Sequence, residues 1–380
     1  MDEVEDLNQL IRELNSERPP GSESDAGSSV RLDGWLRTLV ERAGSDLLLI
    51  AGAPPSLRVD GKITPLPHAP LAGDEVDEAV LPVLSSRARS LYAKDFVADV
   101  SYKLRGVGRF RINLHRERGR AAAAIRSLPS EPPRLATLGL PPGAEALTRL
   151  PRGLVLVGGP TGSGKTTTLA ALVEEINRRD SRHIVTIEDP VEYEHPHRSS
   201  LVEQVEIGVD APDFPSALRA AVRQAPDVLV VGEMRDPETM RIALSAAETG
   251  HLVFSTVHTT DVASAVSRVA DSFPSERQNT IRQELAMALA AVLTQTLLPR
   301  KGGGRVAAAE LLFVSYGARQ HIRKNALQHL HQEIVLTKKQ GSITLEESLA
   351  KIAREGLVET EEARARAAHP EDFENQLRSG

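Results

Sequence analysis

Residues 159–166 read Gly159-Pro160-Thr161-Gly162-Ser163-Gly164-Lys165-Thr166, with a further hydroxyl at Thr167. Before them lies a short apolar run, Gly153-Leu-Val-Leu-Val157, and after them a helical pattern over 165–178. The pattern G-x-x-x-x-G-K-[ST] therefore falls in the strand–loop–helix setting that its chemistry needs. Glycines let the backbone curl until its N–H groups point at phosphate oxygens, and the helix N-terminus adds a favourable dipole. Lys165 is expected to neutralise the β- and γ-phosphates, and Thr166 to hold Mg²⁺. The stretch predicts that the chain binds a nucleoside triphosphate.

Three more apolar runs follow: His183-Ile-Val-Thr-Ile187, Val228-Leu-Val-Val231 and His251-Leu-Val-Phe-Ser-Thr-Val257. Helical patterns over 165–178, 215–224, 236–248 and 260–270 alternate with them, which implies a parallel sheet with crossover helices. In such sheets the ligand lies beyond the carboxyl ends of the strands. Acids wait there on two of them: Glu233 after Val228–Val231, and Glu188, Asp189 and Glu192 around Pro190. An acid after a strand is ordinarily turn chemistry; two such ends behind one phosphate loop favour catalysis. Glu233 has the position of a Walker B acid for Mg²⁺ or water. His251 and His258 flank the fourth strand at a spacing of seven, which puts their side chains on opposite faces and makes them a poor pair of metal ligands. A solvated histidine is the default for either, and one at the carboxyl end could sense the γ-phosphate.

Upstream, Val30 to about Pro129 mixes helix and strand signals around the turn Asp60-Gly61 and reads as a small α+β domain. Arg109, Arg111, Arg118 and Arg126 lie on its last, mostly strand-like stretch. They fit a wet face or guanidinium donors to phosphate equally well. The expected organisation is an acidic extension over 1–30 with a short amphipathic helix at 4–14, the α+β domain at 31–129, and a linker at 130–150. A phosphate-loop α/β core at 151–316 and a helical region at 317–380 complete it.

The 380 residues include no cysteine, which removes disulfides, cysteine-ligated zinc, iron–sulfur clusters and thiol catalysis. The near-apolar stretch Leu285–Leu298 is broken by Thr294, Gln295 and Thr296 and falls short of the ~20 residues of a bilayer span. The acidic start is unlike a secretory signal, so a cytoplasmic protein is expected. The net charge is −6, and residues 1–30 alone carry eight acids and two bases. The remaining chain balances at 44 bases and 44 acids, which gives no reason to expect nucleic acid as a partner.

Together these motifs resemble the secretion-superfamily ATPases, most closely the PilT family of type IV pilus retraction motors, from about Leu32 to Phe373. The resemblance is carried by Gly159–Thr167, Ile187-Glu-Asp-Pro-Val-Glu-Tyr193, Gly232-Glu-Met-Arg-Asp236, Glu248-Thr-Gly-His-Leu-Val-Phe-Ser-Thr-Val-His-Thr-Thr260, Ser45-Asp46-Leu and Gly302-Gly-Gly-Arg-Val-Ala-Ala308. It implies a PAS-like domain followed by a RecA-like domain, six subunits in a ring, and hydrolysis of ATP with Mg²⁺ held by Thr166 and Glu233. It implies Glu192 as the catalytic carboxylate of an Asp box, His251 and His258 as the His-box pair, and the four arginines as contacts to ATP at a subunit boundary. The general-base role stays open between Glu192 and Glu233. The implied partner is the platform protein of a pilus machine, with the ring peripheral to the inner membrane on its cytoplasmic face.

The family's C-terminal signature Ala-Ile-Arg-Asn-Leu-Ile-Arg-Glu reads here Gly317-Ala-Arg-Gln-His-Ile-Arg-Lys324. That departure keeps open a PilU-like accessory subunit, which hydrolyses weakly and co-assembles with a paralogous motor. The longer extension and type II secretion ATPases carry a tetracysteine zinc module, which a chain without cysteine cannot build.

Overall fold

The computed structural model describes residues 29–129 and 131–379. The amphipathic stretch at 4–14 and nearly all of the acidic extension lie outside them. Two compact units emerge: one holds the described residues up to Glu131 together with Pro190–Glu194, the other Pro132–Asp189 and His195 onward.

In the first unit, helix α1 (Val30–Glu41) is capped by the Ser29 hydroxyl, which accepts from the Leu32 amide. Strands β1 (Asp46–Ile50), β2 (Ser56–Val59) and β3 (Lys62–Pro65) follow, then α2 (Glu75–Val80), α3 (Ser86–Asp95), β4 (Val97–Leu104), β5 (Gly108–Glu117) and β6 (Arg120–Leu128). They form an antiparallel sheet in the order β3-β2-β1-β6-β5-β4. Leu32, Leu36 and Leu39, spaced one helical turn apart, pack with Leu47, Leu49, Phe110, Ile112 and Leu114 into its core. The alternation along β5 is what puts Phe110, Ile112 and Leu114 inside and leaves Arg109 and Arg111 on the other face.

The second unit runs β7 (Gly153–Gly158), α4 (Lys165–Arg179), β8 (His183–Glu188), β9 (Leu201–Glu206), α5 (Phe214–Ala221), β10 (Val228–Val231), α6 (Pro237–Glu248) and β11 (Leu252–Val257). Then come α7 (Val262–Asp271), α8 (Ser275–Ala288), β12 (Leu289–Pro299) and β13 (Arg305–Phe313). Helices α9 (Tyr316–Arg323), α10 (Leu330–Leu336), α11 (Leu345–Arg354), α12 (Thr360–Arg366) and α13 (Pro370–Arg378) complete it. The sheet order is β13-β12-β7-β11-β10-β8-β9. All neighbours are parallel except the β12–β13 hairpin.

Both faces of this sheet are covered, as its uninterrupted apolar strands require. Leu154 and Leu156 point into the core under α6, α7 and α8, whereas Val155 and Val157 join Leu172 and Ile176 of α4 on the opposite side. A third, smaller core seats α11–α13 on Leu298, Val306 and Ala308 of the hairpin.

Two buried acids in this unit have opposite electrostatic fates. Glu174 on α4 accepts from Arg178 Nε at 2.6 Å and Arg198 Nε at 2.7 Å, and lies 3.8 Å from His195 Nδ1. Burial pushes its carboxyl up, but His195, Arg178 and Arg198 outweigh that and hold it down at about 2. It ties the loop 195–200 to the helix that opens at the phosphate site. Among the described residues Glu310 on β13 accepts from the Val262 amide at 2.9 Å and, at 3.5 Å, from Thr294. There burial dominates and pushes it up to about 7.

The signs of their pH linkage follow. The stability that Glu174 contributes is present above its ordinary value of 4.5 and is lost as pH falls towards 2. Ionising Glu310 in the fold is penalised increasingly as pH rises from 4.5 through 7. Glu174→Gln is therefore expected to destabilise the protein at neutral pH by about 3 kcal/mol and to flatten its acid limb. Glu310→Gln is expected to match wild type near pH 4.5 and to exceed its stability at pH 8 by about 1–3 kcal/mol. Urea unfolding between pH 3 and 9 checks both, and parallel curves for either variant would refute its assignment.

Candidate functional site

The phosphate loop leaves β7 at Gly158 and enters α4 at Lys165. Its opening glycine has no substitute: a Cβ on Gly159, at φ +149°, would sit 2.3 Å from Ser163 Oγ and 2.5 Å from the Gln295 carbonyl oxygen. Gly164 closes the loop with φ +90° as the residue before the helix, and its carbonyl receives the Thr168 amide. Inside the loop the Ser163 amide bonds back to Pro160 O. Thr161 and Gly162 form the exposed tip, and Ser163 is buried. Lys165 is 8% exposed and donates to Gly159 O at 2.8 Å and Pro160 O at 3.0 Å. Burial lowers its pKa, while the charge of Glu233 works the other way. Thr166 and Thr167 stand in the first turn behind it.

The sheet register decides which other residues share this edge. Strand β11 runs parallel to β7 with Leu252 opposite Gly153 and Val257 opposite Gly158, so His258 emerges level with the phosphate loop. His251 precedes the opposite end of the strand, about 23 Å away at 3.3 Å per residue. Its Nδ1 is bonded to the Ala246 carbonyl of α6, and its ring lines a shallow groove with Arg241, Ser245 and Thr249. The expected histidine pair is thus divided, with His258 alone at the phosphate edge.

Strand β10 delivers Glu233. Gly232 is pinned between strands: its amide donates to Ile187 O at 2.8 Å, and its carbonyl accepts the Thr256 hydroxyl at 2.6 Å. The carboxylate that follows contacts Arg235 at 2.7 Å and His258 Nε2 at 3.1 Å. Burial alone would raise its pKa, but Arg235 and His258 outweigh burial and lower it. Glu233 is therefore an ionised acid one strand from His258. Asp236, three residues on, caps α6 through the Thr239 amide and hydroxyl.

Around Pro190 the three acids separate. Glu188 accepts from Thr186 and Gln204 within the second unit's sheet. Glu192 lies in Pro190–Glu194, which groups with the first unit. There Val191 and Tyr193 are buried, Arg109 donates to the Val191 carbonyl at 2.6 Å, and Lys103 holds Glu194 at 2.8 Å. Arg109 is thereby committed to this segment. Arg111 pairs with Asp99, Arg126 with Asp46, and the largely exposed Arg118 with Glu117. Sequence reading missed Arg305, which reaches Gly162 O at 3.4 Å from the start of β13, and Gln295 of β12, which touches the loop directly. A glycine-rich connection between two apolar runs, as at Gly302–Gly304, was the available signal for that hairpin.

These features place the second unit among the P-loop ATPases. The family described as Type II/IV secretion system protein matches residues 117–369. The sequence is 41% identical over 333 residues to the type IV pilus retraction ATPase PilT of Pseudomonas aeruginosa, covering 88% of this chain and 97% of that one. It is 36% identical over 346 residues to the type IV pilus ATPase PilU of the same organism, with 91% of each covered. A crystal structure of the pilus retraction motor PilT with bound ADP superposes with a TM-score of 0.84 at 42% identity, over 91% of this chain and 99% of that one. The chain belongs to the type II/IV secretion ATPases, in their PilT branch.

Two glycines of the loop separate steric from conformational need. Gly159→Ala is expected to weaken ADP binding at least about 100-fold, because its Cβ meets two oxygens inside 3 Å. Gly162→Ala meets nothing within 4 Å and bears only the strain of φ +79°, about 1–2 kcal/mol, or about tenfold. Titration with a fluorescent ADP analogue ranks the two, and equal losses would refute the packing account.

Proposed function

We propose that this protein is the ATP-hydrolysing motor of a type IV pilus machine and drives retraction of the pilus. The observation that carries the reading is the shared edge of one parallel sheet in a PilT-branch chain. It bears a phosphate loop with a buried lysine, an ionised Glu233 and His258. The loop amides and Lys165 bind the phosphates, and His258 reports on the end of the triphosphate. Glu192 and Glu233 divide the activation of water and the electrostatic support of the transition state.

Mg²⁺ fits this set of donors. Among the described residues no cluster of three or more His, Asp or Glu side chains could hold a metal by itself. One acid and one hydroxyl, Glu233 and Thr166, suit a cation that takes its remaining ligands from phosphates and water. Bound there, Mg²⁺ would neutralise charge developing on the transferred phosphoryl group.

The working assembly in this reading is a ring of six subunits seated on the platform protein at the cytoplasmic face of the inner membrane. Among the described residues no helix is long and apolar enough to cross a membrane. The PilU-like reading, an accessory ring that turns over ATP weakly, is favoured by one observation. The departures in Gly317–Lys324 include His321 and an exposed Lys324.

Steady-state ATP hydrolysis with light scattering on the eluted ring tests the proposal. Lys165→Ala is expected to abolish Mg²⁺-dependent turnover. Glu192→Gln and Glu233→Gln are each expected to lower kcat by about 10²-fold or more while ADP still binds. Full turnover in both acid variants would overturn the site. A wild-type ring that binds ATP yet turns over no faster than Glu192→Gln would favour the accessory subunit.

A further inference from the structure

We propose that Gln295 is the positioning residue of the phosphate loop: its side-chain amide sets the orientation of the Ser163–Gly164 peptide that the bound phosphates read. The inference rests on the phosphate-loop reading above.

The geometry begins with strand length. β7 ends at Gly158, opposite Thr294, but β12 continues to Pro299. Its first overhanging residue, Gln295, therefore runs beside the loop rather than beside a strand. It shares a face with Ala291 and Leu293, whose side chains pack in the core against α4. At 4% exposure its amide is shut away from water, so both of its ends must find partners inside the protein.

Both do. Nε2 donates to the Ser163 carbonyl at 2.6 Å, and Oε1 accepts the Thr168 hydroxyl at 2.8 Å. The orientation of the amide follows from chemistry: a peptide carbonyl can only accept, so the nitrogen must face Ser163. The main chain of Gln295 contributes as well, because its carbonyl oxygen occupies the space a Cβ on Gly159 would need. One residue of β12 thus touches the loop's first glycine, its last peptide and the first turn of α4.

The consequence concerns the amide on the other side of that peptide. In a trans peptide the C=O and the following N–H point in opposite directions. Holding Ser163 O towards β12 turns the Gly164 N–H away from β12, to the concave side where anion-binding amides must converge. Gly164 has no Cβ to resist a flip, so the rotation has to be stopped from outside, and Gln295 is the group in position to stop it. The same bond satisfies a carbonyl that would otherwise be buried without a partner.

Three variants test this on the full-length protein with Mg²⁺ and a fluorescent ADP analogue. Gln295→Met keeps the length and removes both bonds. Gln295→Glu keeps an acceptor for Thr168 but sets an oxygen against the Ser163 carbonyl. Thr168→Val removes only the bond to the helix. The two Gln295 variants are expected to raise the ADP Kd at least tenfold, and Thr168→Val less than threefold, with nucleotide-free thermal midpoints of Gln295→Met and Thr168→Val alike. Kd values within twofold of wild type in both Gln295 variants would overturn the proposal. So would losses that track the fall in thermal midpoint equally across all three, since that pattern marks packing rather than positioning. Lys165→Ala, titrated alongside, separates the two levels: near-normal ADP binding there would sink the phosphate-loop reading itself.

Discussion

A loop that binds phosphate through its main chain must keep several amides unbonded and still hold its shape, although a free backbone ordinarily closes on itself. The chain resolves this by bonding the carbonyls of the loop and sparing the amides that face outward. Lys165 takes the carbonyls of Gly159 and Pro160, the Ser163 amide takes Pro160 O, and Gln295 takes Ser163 O. Everything else at the site depends on β7 being central. Flanked by β11 and β12, it receives His258 from one neighbour and the brace from the other. An edge strand could receive only one of them.

Electrostatics divide the same edge into a fixed and a responsive part. Glu233 is kept ionised by Arg235 and His258 despite partial burial, and its field in turn supports the charge on Lys165, which burial opposes. The acid and the lysine are therefore coupled before any phosphate arrives. Glu310 lies behind this edge under different rules. It accepts from the Val262 amide at the start of α7, the helix that follows His258, and at longer range from Thr294, and burial prevails over both bonds. Two acids of one sheet thus differ because Glu233 has the Arg235 guanidinium within reach, whereas Glu310 has two hydrogen-bonding dipoles and the like charges of Asp261 and Glu346.

How much of this was legible in the sequence depended on whether the signal was local. The phosphate loop, the apolar strands beside it and Glu233 were readable because strand, turn chemistry and helix start are consecutive in the chain. Strand β12 was not, because Thr294-Gln295-Thr296 interrupts its apolar run with polar residues, and the burial of Thr294 and Gln295 is explained by their bonds to Glu310 and to the loop. The Ala121–Ala124 segment shows the converse. Alanine favours helix, yet these residues sit in β6, bonded to β5 on one side and β1 on the other, where tertiary pairing overrides propensity. The separation of His251 from His258 follows from their odd spacing along β11, but which end faces the phosphates is set by the parallel register with β7. No property of the histidines themselves carries that information.

The departure from the family pattern in Gly317–Lys324 can be placed by the same logic. The residues that hold the segment in the fold are Ala318 and Ile322, both fully buried, and Arg319, which donates to the carbonyls of Ala286 and Met287 at the end of α8. A Cβ on Gly317 would meet the Glu333 carboxylate, the far end of a side chain that can move aside. His321 lies 3.5 Å from the same carboxylate and packs against the ring of His329, and Lys324 is exposed. Arg319, Ile322 and Ala318, the last standing where the family signature has isoleucine, thus do structural work, while Gln320, His321 and Lys324 lie outside the core. Changes so placed alter the face on which α9 and α10 meet their surroundings.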